Sequence, residues 1–179
     1  MSAVVVHTEL ASVGVTDKVA ALIADTYRPP VVVGMMSSRW LPPPSADERL
    51  ADRAVIALYA ALRPATEAEV RAALRHLALI SRPMVGELDE IKARVNAMVS
   101  VITAAGWPRD ILRNACNQHA HTSPWWVSYH DLAKLAQPQV EARQRQLVRA
   151  KILIRVARNP APDGQVTADW AREVFLRGA

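Results

Sequence analysis

The sequence predicts an all-α protein, a compact antiparallel helical bundle with a long basic C-terminal helix and a proline-rich N-terminal segment. Three observations predict it. Alanine, leucine, valine and arginine dominate while the 179 residues hold only 6 glycines and one phenylalanine, a balance that favours helices over a glycine-turned β fold. Apolar residues recur at helical spacing in segment after segment. Capping signals and prolines punctuate the boundaries between those segments. The expected count is about five to seven helices.

Residues 1–44 form the first region. Val15, Val19, Leu22 and Ile23 fit one helix within Leu10 to Ala24, with Thr16-Asp17 as its cap. Prolines then bracket Val31-Val32-Val33, and residues 28–44 read as an extended linker lying along the core, with Trp40 covering an apolar groove. The core domain is expected over residues 45–136. Ser45 to Glu48 fits a capping box ahead of Leu50, Ala54, Ala57, Leu58 and Ala61. Thr66 to Glu69 is a second box, opening a helix with Val70, Leu74, Leu77 and Ile80 on one face. Pro83 closes that helix.

The cleanest stripe follows: Leu88, Ile91, Val95, Met98, Ile102 and Ala105, ended by Gly106. Pro108 starts the next helix, with Ile111, Leu112, Ala115 and His119 on a face. Ser128 to Asp131 caps another, which runs into Leu132, Leu135 and Ala136. Residues 137–179 form the last region. Pro138 either kinks the preceding helix or starts a new one. Beyond it lies a basic helix from about Val140 to Ala157, then a turn at Asn159 to Gly164 and a short helix, Thr167 to Arg177.

Composition narrows the function classes. The formal charge is +5, which suits an acidic protein surface or nucleic acid without selecting either. A single cysteine, Cys116, excludes a disulfide framework and fits a reducing cytoplasm. No secretory signal or membrane-spanning run is visible, so a cytoplasmic location away from membranes is expected.

No catalytic constellation stands out, and neither an enzyme nor a cofactor is expected. Cys116 and His119, at i and i+3, could face one metal, but His121 and His130 would have to fold back across the Trp125-Trp126 loop. The spacing matches no standard zinc finger, so no metal site is expected. His130-Asp131 has no accompanying nucleophile, and capping explains Asp131 better. Val31 to Gly34 is followed by Met35-Met36-Ser37-Ser38, not by the residues a phosphate loop needs.

Leu62 to Ala136 resembles the helical N-terminal domain of phage replicative-helicase loader and inhibitor proteins. The residues that carry the likeness are the Ala-Leu helix beginning near Thr66, the amphipathic helix Leu88 to Ala105, the Trp107-Pro108 helix start, the Ile-Leu-x-x-Ala-Cys run Ile111 to Cys116, and Trp126 to Leu132. Val127 stands where that family has proline, and Asp131 where it has glutamate. The resemblance implies a non-enzymatic regulator of DNA replication that binds a replisome protein, a replicative helicase, through a helical domain and a C-terminal segment, here Val140 to Ala157.

The expected partner surface is Trp125, Trp126, Arg143, Arg145, Arg149, Lys151 and Arg155, because grouped aromatic and arginine side chains anchor interfaces. Two alternatives compete. One is a basic helical DNA-binding protein, since the same arginines would attract phosphate and give at least weak nucleic-acid binding. The other is a sliding-clamp inhibitor, for which Gln146-Leu147 is a partial motif lacking its aromatic residue.

Overall fold

In the computed structural model, residues 15–29, 32–33, 40–82 and 85–176 are described. The start of the first expected helix at Leu10, the Gly34 to Ser38 stretch, Pro83 and Arg177 lie outside them. The described residues form seven α-helices: α1 (Asp17–Ile23), α2 (Glu48–Ala61), α3 (Glu67–Ile80), α4 (Leu88–Ala105), α5 (Arg109–Thr122), α6 (Tyr129–Arg158) and α7 (Ala168–Leu176). Two short strands, β1 (Val32–Val33) and β2 (Val166–Thr167), pair in parallel, Val32 opposite Val166. The protein is all-α, as its composition and periodicity predict. No described helix is long and apolar enough to cross a membrane.

The chain divides into two units, and the division differs from the expected one. Leu62–Arg143 forms a central unit, while Met1–Ala61 and Gln144–Ala179 together form a terminal unit. The core expected over residues 45–136 is therefore cut after Ala61. The reason lies in the buried face of α2. Ala51, Ala54 and Leu58 pack in one cluster with Ala150, Leu153, Val156, Trp170 and Val174, residues far along the chain. The small Ala51 and Ala54 at i and i+3 let a helix approach closely, but nothing local in the sequence states which helix will approach.

The central unit is an up-down-up-down arrangement of α3, α4, α5 and α6 up to Arg143. At one end the Ala65 N–H donates to the Trp107 carbonyl (2.9 Å), so α3 and α5 begin side by side. At the other end the Arg82 N–H donates to the Pro124 carbonyl (2.6 Å), joining the loops that follow those same helices. Its core holds Val70, Leu74, Leu77, Ile102, Trp107, Ile111, Leu112 and Leu132. The Trp107 ring stacks on Tyr129 with centroids 5.4 Å apart. Gly106 adopts φ +66, the left-handed C-cap the sequence expects of it.

The face between α5 and α6 carries a polar ladder. Arg143 donates two bonds to the Asp110 carboxylate (3.0 and 2.7 Å), and Asn114 donates to Gln139 (2.8 Å). Both partners advance by four residues, in opposite senses on the two helices, as antiparallel packing requires. Gln139 also donates to the Leu135 carbonyl (2.8 Å). Pro138, one residue earlier, lacks the N–H that would serve the Lys134 carbonyl. Helix α6 nevertheless runs unbroken through Pro138, the side-chain bond supporting the backbone beside the gap.

Capping decides where helices start. Thr66 and Glu69 form the expected reciprocal box, and Ser128 and Asp131 form another, with Ser128 Oγ accepting from the Asp131 N–H (3.2 Å). The box expected at Ser45 and Glu48 is displaced. Asp47 caps α2 instead, its carboxylate accepting from the Leu50 N–H (3.1 Å) while its carbonyl accepts from Ala51.

In the terminal unit, residues 28–44 do what the linker reading expects where they are described. Trp40 is buried, its indole N–H donates to the Leu22 carbonyl (2.9 Å), and its ring meets Phe175 edge-on. Trp170 makes the matching bond to the Asn159 carbonyl (3.0 Å). Each indole thereby satisfies a carbonyl left without a partner at a helix end.

Candidate functional site

The loop between α5 and α6, Ser123 to Ser128, is fastened at Ser123, Pro124, Trp125 and Ser128. The Ser123 N–H donates to the His119 carbonyl (2.8 Å), the Trp125 N–H to Ser123 Oγ (3.3 Å), and the Trp125 carbonyl accepts from His119 Nε2 (3.1 Å). His119 is buried, and Val127 is buried beneath the loop. From this anchored backbone the Trp125 ring stands out, 59% exposed, with the Arg82 guanidinium 4.8 Å from its centroid. Trp126 turns inward and packs against the central core. One tryptophan plugs the helix junction and the other is presented to solvent.

Trp126 separates two grooves. The first, about 410 Å³, is lined by Val85, Arg94, Met98, Trp125 and Val127. The second, about 260 Å³, is lined by Leu74, Arg75, Ala78 and Val95. Val85 at the first groove is 89% exposed, and Leu88 at the start of α4 is 66% exposed. Leu88 belongs to the stripe of α4 that the sequence marks as core. Met98 and Ile102 are buried as expected, while Ile91 and Val95 are half-buried and Leu88 is exposed. An exposed aromatic ring on a rigid loop, beside an uncovered apolar helix face, has the make-up of an interface anchor.

The basic residues expected to join Trp125 and Trp126 do something else. In the central unit, Arg143 is buried against Asp110. In the terminal unit, Arg149 donates to the Ile23 carbonyl (2.8 Å), pairs with Asp25 (2.5 Å) and lies over the Trp40 ring. Arg155 donates to the Val174 and Phe175 carbonyls (3.3 and 3.2 Å). Arg149 and Arg155 thus serve the C-terminal ends of α1 and α7, where cations are favoured by the unpaired carbonyls. Lys151 sits over Tyr59, and Arg145, half exposed, approaches Asp25 at 3.6 Å. The outward basic face expected on Val140 to Ala157 is replaced by a set of internal ties. An arginine fork can satisfy two acceptors at once, which suits it to the open carbonyls of a helix end.

Four groups carry shifted acidities, among them Tyr27, whose pKa burial raises. The Ser128 hydroxyl and N–H, bonded to the Asp131 carboxyl, hold it below its ordinary range. The Thr66 N–H does the same for Glu69. Burial pushes the Cys116 thiol up to about 11, so at neutral pH it is a protonated, inert core group. Among the described residues no three histidine, cysteine or carboxylate side chains are grouped to hold a metal. No protein-family model, curated protein or solved structure matches this chain.

Sequence reasoning singled out Trp125 and Trp126 but missed Arg82 and Val85 as their surroundings. Both look like ordinary residues of the loop between two helices. Only the pairing of the α3–α4 and α5–α6 loops brings them to the tryptophans.

Proposed function

We propose that this protein is a non-enzymatic regulator of DNA replication that docks onto a replisome protein, a replicative helicase, through the Trp125 end of its central unit. The observation that supports this reading best is Trp125 itself, a large ring held out by a loop whose backbone is hydrogen-bonded on both sides of it, above an open apolar groove. Holding the ring in place beforehand lowers the ordering cost of binding. The replication assignment rests on the likeness of Leu62 to Ala136 to phage helicase loaders and inhibitors. Of the surface expected from the sequence, Trp125 and Trp126 remain in the proposal. Arg143, Arg149 and Arg155 leave it, because their guanidinium groups already have partners within the chain.

The test is capture of a purified replicative helicase by the immobilised full chain, alongside the Trp125→Ala variant. The variant is expected to bind at least tenfold more weakly, since anchor residues contribute about 2 kcal/mol or more, and to melt at the parent temperature. Helicase that binds both proteins equally, or neither, overturns the proposal.

A further inference from the structure

The cations the sequence assigned to an outer face are mostly engaged, and a different row is more open, with Arg109 reaching Glu69 only at 3.6 Å. On α5, Arg109, Arg113, Asn117 and His121 follow one i+4 ridge, a line of side chains that neighbouring turns bring together. Over twelve residues the ridge extends about 18 Å. Arg109, Arg113 and His121 are exposed, and Asn117 is half-buried. The other side of the same helix carries the core residues Ile111, Leu112 and Ala115, and the buried Cys116 lies beside Arg109 and Arg113. Every member of the ridge can donate hydrogen bonds, and none is acidic.

The surroundings keep this face positive. Asp110, the one carboxylate on α5, is engaged by both Arg143 amino groups. Glu69 across on α3 is tied to the Thr66 cap and approached by Arg63 and Arg109. Elsewhere in the central unit Arg71, Lys92 and Arg94 each pair with an acidic residue on their own helix, whereas Arg113 takes part in no ion pair among the described residues. Between α5 and α3 the ridge borders a cavity of about 230 Å³ lined by Glu69, Ala72, His76, Arg109, Arg113 and Cys116. Its one carboxylate, Glu69, is already bonded by the Thr66 cap, and two arginines and a histidine supply donors.

We propose that this α5 face binds the phosphate backbone of duplex DNA. Charge complementarity selects a polyanion, and two further features select among polyanions. The exposed arc of α5 offers no large apolar side chain, so it lacks the anchor a protein partner needs. Between Arg109 and Thr122 there is no phenylalanine, tyrosine or tryptophan, so it has no platform on which unpaired bases would stack. Arginine, asparagine and histidine donors on a rigid rod suit phosphate oxygens, which position a duplex without reading its sequence. This surface is separate from the Trp125 groove and stands whether or not a helicase binds there.

The experiment is fluorescence anisotropy with a labelled 20-base-pair duplex and the full chain, from 50 to 200 mM salt. Two phosphate contacts give a slope of about −1.8 in log K against log salt, hence a loss of about 12-fold in affinity over that range. The Arg109→Ala/Arg113→Ala variant is expected to lose that component of the slope, while Lys92→Ala, on another face, leaves it unchanged. Asn117→Asp is the second variant: nearly the same shape, it adds a carboxylate to the ridge and is expected to weaken binding several-fold without moving the melting temperature. A tighter grip on duplex than on single-stranded DNA or poly-glutamate supports the assignment. Unchanged binding by Arg109→Ala/Arg113→Ala and Asn117→Asp overturns it, as does equal affinity for poly-glutamate or no duplex binding at 50 mM salt.

Discussion

Arg149→Ala is the substitution that best separates a solvated basic helix from the one observed. In the structure the Arg149 side chain is 12% exposed and makes three contacts within the terminal unit. Its hydrogen bond to the Ile23 carbonyl involves a charged donor, worth about 1.5–3 kcal/mol. Its ion pair with Asp25 contributes only about 0–1 kcal/mol, because Asp25 is largely solvated. Its position over the buried Trp40 ring adds about 0.5–2 kcal/mol. These terms share one guanidinium and do not add in full, so the expected loss is about 3 kcal/mol. For a chain of this size that is a fall of about 6–12 °C in melting temperature. Arg145→Ala is the matched comparison. Arg145 lies one turn away and meets the same Asp25, but it is half exposed and at 3.6 Å, so its loss is expected within about 0.5 kcal/mol. Arg149→Lys is expected to fall between them, since lysine keeps the charge but not the planar fork. The assay is urea and thermal unfolding followed by circular dichroism. Equal stability of the Arg149→Ala and Arg145→Ala variants would refute the reasoning and return Arg149 to the surface.

Three more outcomes follow from the caps, the thiol and the acidities. Asp47→Ala is expected to lower stability by about 1 kcal/mol and Ser45→Ala to change it little, which unfolding midpoints will rank, because Asp47 carries the α2 cap. Cys116 is expected to resist a thiol reagent at pH 8 and to react once urea unfolds the chain, burial having raised its pKa to about 11. Asp131 and Glu69 have lowered folded-state values. Their stabilisation is therefore complete above the ordinary carboxylate range and disappears as pH falls through the lowered values. Urea midpoints are expected to drop between about pH 5 and pH 2, and Asp131→Asn to flatten that drop.

Much of the local structure is legible because it depends on neighbours in sequence. The Thr66–Glu69 and Ser128–Asp131 boxes, the Gly106 cap and the buried Met98-Ile102 portion of α4 all follow from spacing. The Ser45 box failed for an equally local reason: Asp47, two residues on, is a competing cap whose carboxylate reaches the Leu50 N–H. Pro138 misleads in another way. Its cost to a helix is local, but the Gln139 side chain and packing against α5 offset it. The candidate site divides along the same line. Two adjacent tryptophans after a helix stop are visible to inspection, whereas the Arg82 ring contact joins residues 43 positions apart.

By itself the sequence determined that the chain is helical, where most helices begin and end, and which faces are apolar. Those outcomes need only backbone propensity, hydrophobic period and side-chain bonds reaching three or four residues. Tertiary structure alone decided that α2 belongs with the C-terminal segments, that Leu88 stays uncovered, and that Arg143, Arg149 and Arg155 face inward. An arginine's charge looks the same in sequence whether water or a distant carbonyl satisfies it. The choice is made by which helix end arrives within reach of its fork.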